Sequence, residues 1–273
     1  MAISLKNKVV LITGASSGFG KDAAHLFAEE GALVILAARR LNRLQMLANE
    51  IHKAGGDAFA VPVDISQRAE IDLMVRTVIE IYGHIDILFN NAGFGRLNWL
   101  ESLEPDRDID TQVQVNLTGL IQVTRAVLPH MLECRSGHII NMSSIAGWLA
   151  APSYSVYAAT KYGVRGFTTA LRREVAPFGI IVSGIYPGPA RTEFGWAGGG
   201  KKGRRRPKWF DLFFIPAENV SQRVLQLAKH PRRTVIIPWW FALIAWGENH
   251  FPRIADWIIQ TGYTEQYHTL ENK

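Results

Sequence analysis

Short runs of consecutive apolar residues alternate along this chain with longer stretches in which apolar residues return every three or four positions. The runs Val9–Thr13, Leu33–Ala37, Ala58–Val63, Ile85–Asn90, His138–Met142, Ile180–Tyr186 and Thr234–Ile237 predict about seven strands. Several lack the polar alternation of a half-exposed strand, which predicts cover on both faces. Between them, Gly18–Glu30, Asn42–Ala54, Ser66–Tyr82, Asp108–Cys134, Tyr154–Phe178 and Ala217–Lys229 predict helices. In the first of these, Phe19, Ala23, Leu26 and Phe27 share a face and Gly31 supplies the stop. Alternation of this kind predicts an α/β fold, a doubly wound parallel sheet with helices on both faces.

No internal repeat or long low-complexity linker interrupts the pattern, so residues 1–273 read as one domain. Composition changes twice. A variable loop rich in Gly, Arg and Trp occupies about 190–216, and an extension from about 239 to 273 is aromatic. The net charge is +6, but Lys201, Lys202, Arg204, Arg205, Arg206 and Lys208 account for all of it. That charge describes one loop rather than a basic protein. Nucleic-acid binding would rest on the loop alone, with no recognition fold behind it, and no such partner is expected.

The one cysteine, Cys134, excludes an internal disulfide and fits a reducing compartment. Lys6 and Lys8 interrupt any secretory apolar run, and no stretch reaches the ~20 apolar residues of a membrane span. The expected location is the cytoplasm, with or without contact to a membrane surface. The eight histidines show no zinc-ligand spacing, so no metal is expected.

Thr13-Gly14-Ala15-Ser16-Ser17-Gly18-Phe19-Gly20 joins the first strand to the first helix. Glycines let the backbone turn sharply there and approach a pyrophosphate, while the helix N-terminus offers unpaired N–H groups and a positive dipole end. A plain tight turn is the alternative, but the strand–helix placement favours a Rossmann-like nucleotide site. The spacing T-G-x-x-x-G-x-G resembles the short-chain dehydrogenase/reductase family, and the resemblance runs to about Ile237. Six further motifs follow in register: Asp64, Asn90-Asn91-Ala92-Gly93, Asn116, Ser144, Tyr157-x-x-x-Lys161, and Pro187-Gly188 followed by Thr192. The resemblance implies a nicotinamide cofactor held by Gly14, Ser16, Ser17, Gly18, Phe19 and Gly20. It adds Asp64 and its neighbour Ile65 at the adenine, then Asn91, Ala92, Gly93, Pro187, Gly188 and Thr192.

Ala38 stands where NAD-preferring members of that family carry a carboxylate, and Arg39 and Arg40 follow it. A carboxylate repels a ribose 2′-phosphate, whereas a guanidinium binds it with charge-assisted hydrogen bonds. With no acidic residue near in sequence, NADP(H) is the expected cofactor; the alternative is that both arginines cap a surface turn.

Tyr157 and Lys161 lie four apart near a predicted helix start, so they share a face. A free phenol ionises near pH ~10, and an adjacent ammonium together with the positive nicotinamide of an oxidised cofactor should lower that value toward a useful acid/base. The resemblance implies this role for Tyr157. It makes Ser144, thirteen residues earlier, the group that orients the substrate oxygen, with Ser143 structural. Asn116 by resemblance supports a proton path to Lys161 through a water. Tyr157 and Lys161 by resemblance also contact the cofactor.

The expected substrate is a small-molecule alcohol or carbonyl compound. Phe194, Trp196, Trp209, Phe210, Leu212, Phe213 and Phe214, and then Trp239, Trp240, Phe241, Trp246, Phe251 and Trp257, point to a lipophilic one. Steroids, retinoids, long-chain 3-keto compounds and xenobiotic carbonyls all stay open. Aromatic residues beside cations suit a peripheral membrane surface, and equally a self-packed lid or a subunit interface. The two long helices around Asp108–Cys134 and Tyr154–Phe178 resemble a pair used for assembly in the family, so a homo-oligomer is expected. The rival reading is a protein that senses NADP(H) or lipid with little turnover; intact Tyr157 and Lys161 weigh against it.

Overall fold

The computed structural model describes residues 2–190 and 214–267, with side chains as far as Thr261. Thr192, the six clustered cations and the aromatics from Phe194 to Phe213 lie outside the described residues.

Seven strands form one parallel sheet: β1 (Val9–Thr13), β2 (Leu33–Ala38), β3 (Asp57–Pro62), β4 (Ile87–Asn90), β5 (Gly137–Met142), β6 (Ile180–Pro187) and β7 (Thr234–Ile237). Their spatial order is β3-β2-β1-β4-β5-β6-β7. The order reverses between β1 and β4, and a crevice opens beyond the carboxyl ends of the strands at such a switch point. In-register pairing sets Thr13 beside Ala37 and Asn90 beside Asn141, so the residues that end each strand share one edge.

Strand residues alternate between two apolar layers because successive side chains point to opposite faces. Val10, Ile12, Val34 and Leu36 meet α1 (Gly18–Glu29), α2 (Leu41–Lys53) and a later helix (Ala217–Lys229). Val9, Leu11, Ile35 and Leu88 face the other way, toward α3 (Arg68–Tyr82), α4 (Leu120–Cys134) and α5 (Ser155–Val175). The Ala217–Lys229 helix is α6; α7 (Phe241–His250) and α8 (Pro252–Tyr267) follow β7.

The predicted single helix over Asp108–Cys134 differs in detail. Helical structure starts at Pro105, and two π-helical turns, Pro105–Asp110 and Gln114–Gly119, precede α4. A π-turn inserts one residue into the 3.6-residue repeat, which apolar periodicity cannot register. Asn116 sits in the second turn. Two buried polar devices cross the sheet as well. Asn90 donates to Thr124 Oγ1 at 2.8 Å and to Asn141 Oδ1 at 2.9 Å, and Asn141 donates to Thr168 Oγ1 at 3.0 Å. His138 pairs with Ser183 at 2.8 Å, and burial lowers its pKa to about 4.

Candidate active site

The loop between β1 and α1 is clasped to the end of β4. Thr13 Oγ1 accepts the backbone N–H groups of Asn91 at 3.0 Å and Ala92 at 3.1 Å. Asn91 Nδ2 donates back to the carbonyls of Thr13 and Gly14, at 3.0 and 3.3 Å. Gly14 takes φ +68°, and a Cβ on it would lie 2.7 Å from the Ala92 Cα. A Cβ on Gly20 would lie 2.5 Å from Asn91 Nδ2, so the approach requires glycine at both positions. Asn91 therefore borders the cavity with its amide engaged by the loop, which is a structural use that the sequence reading did not include.

The clasp forms one wall of a cavity of about 1580 Å³. Around it stand Gly14, Ser16, Ser17, Gly18 and Phe19 from the loop, Ala38, Arg39 and Arg40 from the end of β2, and Asp64 and Ile65 beyond β3. Asn91, Ala92, Gly93, Ser144, Tyr157, Lys161, Pro187 and Gly188 complete the predicted set within the described residues, apart from two. Gly20 lies behind the loop against Asn91, and Asn116 is fully buried behind Phe94.

The donors fit a phosphorylated dinucleotide. Ser17, at the start of α1, makes no side-chain capping bond, so the first N–H groups of the helix have no side-chain cap. Arg40 donates from Nε and Nη2 to Ser16 Oγ, at 3.1 and 2.9 Å, and from Nη2 to Ser17 Oγ at 2.9 Å. Its charge is thus fixed against the glycine-rich loop. The Arg39 side chain is 73% exposed. The sequence placed no acidic residue near these arginines, but the fold brings one: Asp64 Oδ2 lies 3.9 Å from Arg39 Nη1. That separation reaches across two strand ends, where sequence distance gives no warning.

At the other end of the cavity, Tyr157 and Lys161 lie on the first turns of α5, both buried. Lys161 Nζ donates to the Met142 carbonyl at 3.2 Å and stands 5.7 Å from the Tyr157 ring centre. Ser144 hydrogen-bonds the Tyr157 hydroxyl, and its Oγ accepts the Ala146 N–H at 3.1 Å. Ser143 is used elsewhere: its hydroxyl donates to the Lys161 carbonyl at 3.0 Å. The two consecutive serines thus engage different groups of α5, one a backbone carbonyl and the other the phenol.

Asn116 Oδ1 accepts the Phe94 N–H at 2.9 Å, and its Nδ2 donates to the Phe94 carbonyl at 2.7 Å. A weaker contact of 3.4 Å reaches Thr160 Oγ1. Its amide thereby fixes the Gly93–Phe94 backbone beside Lys161.

Burial governs the protonation of both residues. Burial pushes the Tyr157 phenol up, and the Ser144 hydrogen bond acts against that rise. Burial also lowers Lys161 to about 8. Desolvation of the charged forms dominates both residues, so the ammonium alone does not bring the phenol down.

Several cavity residues escaped the sequence reading. Phe94, Arg96, Leu149, Tyr154, Ile244 and Glu248 border the cavity, together with Phe241, which the aromatic pattern had named. Glu248 accepts a hydrogen bond from the Ala150 N–H, and burial raises its pKa. The carboxylate thus ties α7 to the segment leading into Tyr154 and Tyr157. The aromatic composition after Pro238 was the available signal, but it did not say which face of α7 turns inward.

Residues 8–199 match the family model described as short chain dehydrogenase. The chain belongs to that family. It is 40% identical over 193 residues to an oxidoreductase of Listeria innocua, covering 70% of this chain and 77% of that one. A short-chain dehydrogenase/reductase of Burkholderia phymatum solved with NAD has the same fold. Its TM-score is 0.83 at 24% identity, over 93% of this chain and 96% of that one. A variant of the actinorhodin polyketide ketoreductase solved with NADPH gives a TM-score of 0.79 at 29% identity, over 88% of this chain and 99% of that one. The family match stops at residue 199, before β7, α7 and α8.

For this short-chain dehydrogenase, the depressed Lys161 has a thermodynamic signature. Below about 8 the lysine is charged in both states and the folded state bears its desolvation cost. Between about 8 and the ordinary value of 10.5 the unfolded chain binds the extra proton, so stability rises with pH. Urea denaturation from pH 7.5 to ~10 should show that rise in the native protein and a flatter profile in Lys161→Met; parallel profiles would remove the assignment.

Proposed function

We propose that this protein is an NADP(H)-dependent oxidoreductase acting on a lipophilic alcohol or ketone, with Tyr157 as the acid/base. The observation that carries the reading is the shared cavity. Arg39 and Arg40 stand beside the glycine-rich loop at one end, and Ser144, Tyr157 and Lys161 converge at the other. A bound nicotinamide supplies a hydride to a carbonyl carbon, or takes one from an alcohol.

The chain's own residues perform the proton half of the reaction. Ser144 Oγ holds the substrate oxygen beside the Tyr157 hydroxyl, which donates its proton as the carbonyl becomes an alkoxide. In the reverse direction the phenolate takes the alcohol proton. Lys161 stabilises that phenolate when charged, and its pKa of about 8 keeps both lysine forms accessible near neutrality. Asn116 acts as a positioning residue through Phe94 and supports proton return toward Lys161. Pro187, Gly188 and Thr192 complete the cofactor site in this proposal.

Phe94, Leu149, Phe241 and Ile244 give the substrate end apolar walls, which supports a lipophilic substrate. The proposal also includes a homo-oligomer, with copies meeting through the helical pair α4 and α5.

Two kinetic outcomes follow. Tyr157→Phe should cut kcat at least 10²-fold while leaving cofactor Kd within a few-fold, and Ser144→Ala should cost far more activity than Ser143→Ala. Ser143→Ala proving the more damaging would overturn the assignment of roles. For the cofactor, Arg39→Ala should weaken NADPH by roughly tenfold or more with little effect on NADH, and Ala38→Asp should shift preference toward NADH. Equal use of both nucleotides by the native protein would refute NADP(H) selectivity.

The proposal further sets α7 and α8 against a membrane surface. Trp239 is 72% exposed and Trp257 66%, and Leu243, Trp246, Phe251, Ile254 and Ile258 are exposed beside them. Exposed apolar residues at this density mark an interaction surface. The segment carrying the six cations leaves the described chain at Ala190 and rejoins it at Phe214, and both ends border the cavity. Near an anionic surface each cation contributes about 1 kcal/mol. No helix among the described residues is long and apolar enough to cross a bilayer, so these helices would lie in the interface.

Co-sedimentation with vesicles should increase with anionic lipid content and fall when all six cations are neutralised. Retention that ignores both would defeat the membrane assignment.

A further inference from the structure

At the end of the sheet opposite the candidate active site, a second concavity of about 620 Å³ is bordered by Arg172, Arg173, Arg232 and Arg233. Its apolar surface includes Ile181 and Pro231. Arg172 and Arg173 belong to the last turn of α5, whereas Arg232 and Arg233 immediately precede β7. Arg172 Nη1 donates to the Arg233 carbonyl at 3.1 Å, which ties the two pairs into one unit.

Among the described residues no carboxylate borders this groove, and none of the four guanidinium groups is in an ion pair. Other cations are matched: Lys8 with Asp86 at 2.8 Å, Lys229 with Glu30 at 2.8 Å, and Arg107 with Asp108 at 2.6 Å. Glu174 follows Arg173 in the chain but does not border the groove. Gathering four like charges at a concave surface costs free energy that an anion would relieve.

Guanidinium forks match the spacing of phosphate oxygens, and several of them favour a multiply charged group. We propose that this groove is a binding site for a soluble phosphate-bearing anion, separate from the cofactor cavity. The separation follows from topology. The groove lies where β6 and β7 begin, and the cavity lies where the strands end at Pro187 and Gly188. The proposal stands independently of the assigned oxidoreductase activity.

The probe is inorganic pyrophosphate, titrated calorimetrically into the full chain at fixed ionic strength. The variants are Arg173→Gln and Arg232→Gln, singly and together, because both side chains are exposed and their loss leaves the Arg172 tie intact. A second variant, Arg39→Ala with Arg40→Ala, removes the arginines of the cofactor cavity. The expected result is saturable binding that weakens in each single variant and at least tenfold in the double Gln variant. The same binding should persist in the Arg39/Arg40 variant. Loss in the Arg39/Arg40 variant alone, unchanged affinity in the double Gln variant, or no saturable heat would overturn the proposal. So would retention on phosphatidic acid vesicles with no pyrophosphate binding.

Discussion

Thr13 and Asn91 exchange hydrogen bonds across the switch point of the sheet, and the geometry of the candidate site follows from that exchange. The Thr13 hydroxyl holds two backbone N–H groups of the β4 exit, while the Asn91 amide holds two carbonyls of the glycine-rich loop. Without Cβ atoms at Gly14 and Gly20 the two segments close to contact distance. The loop is thereby fixed ahead of α1, with the uncapped start of that helix turned to the cavity. The Gly93–Phe94 backbone leaves the same junction and is held by Asn116 beside Lys161. One polar clasp sets both ends of the cavity.

Burial is the second constraint, and it acts on chemistry rather than on shape. Exclusion of water shifts Tyr157 and Lys161 each toward the neutral form. In such surroundings a charge introduced nearby is poorly screened and moves either group strongly, as the proposed proton transfer requires. The bond from Ser144 opposes the rise of the phenol, so the residue proposed to orient the substrate oxygen also biases the acid. Ser143 lies one residue earlier and faces α5, where it supports the turn that carries Lys161.

The third constraint concerns α7, which has unlike surroundings on its two sides. Phe241, Ile244 and Glu248 border the cavity, whereas Leu243 and Trp246 are exposed. Tethering of Glu248 to Ala150 ties this helix to the segment that leads into the turn carrying Tyr157. The wall of the cavity and the exposed apolar face proposed to meet a surface therefore share one short element beyond the region matched to the family.

The amino-acid order determined the sheet, because continuous apolar runs such as Val9–Thr13 can be buried on both faces only between helical layers. It also determined the local motifs, since Gly14 follows β1 directly and Tyr157 and Lys161 share a helix face by their spacing of four. Tertiary structure alone decided what depends on strands distant in sequence. Asp64 comes near Arg39 only because β2 and β3 end side by side. Asn91 proves to be a clasp only because β1 and β4 are neighbours, and the π-turn holding Asn116 leaves no mark on apolar periodicity. The four-arginine groove joins residues about sixty positions apart, where β6 and β7 begin. The shifts of Tyr157 and Lys161 belong to the same class: spacing places an ammonium beside a phenol, but burial decides which charge either can carry.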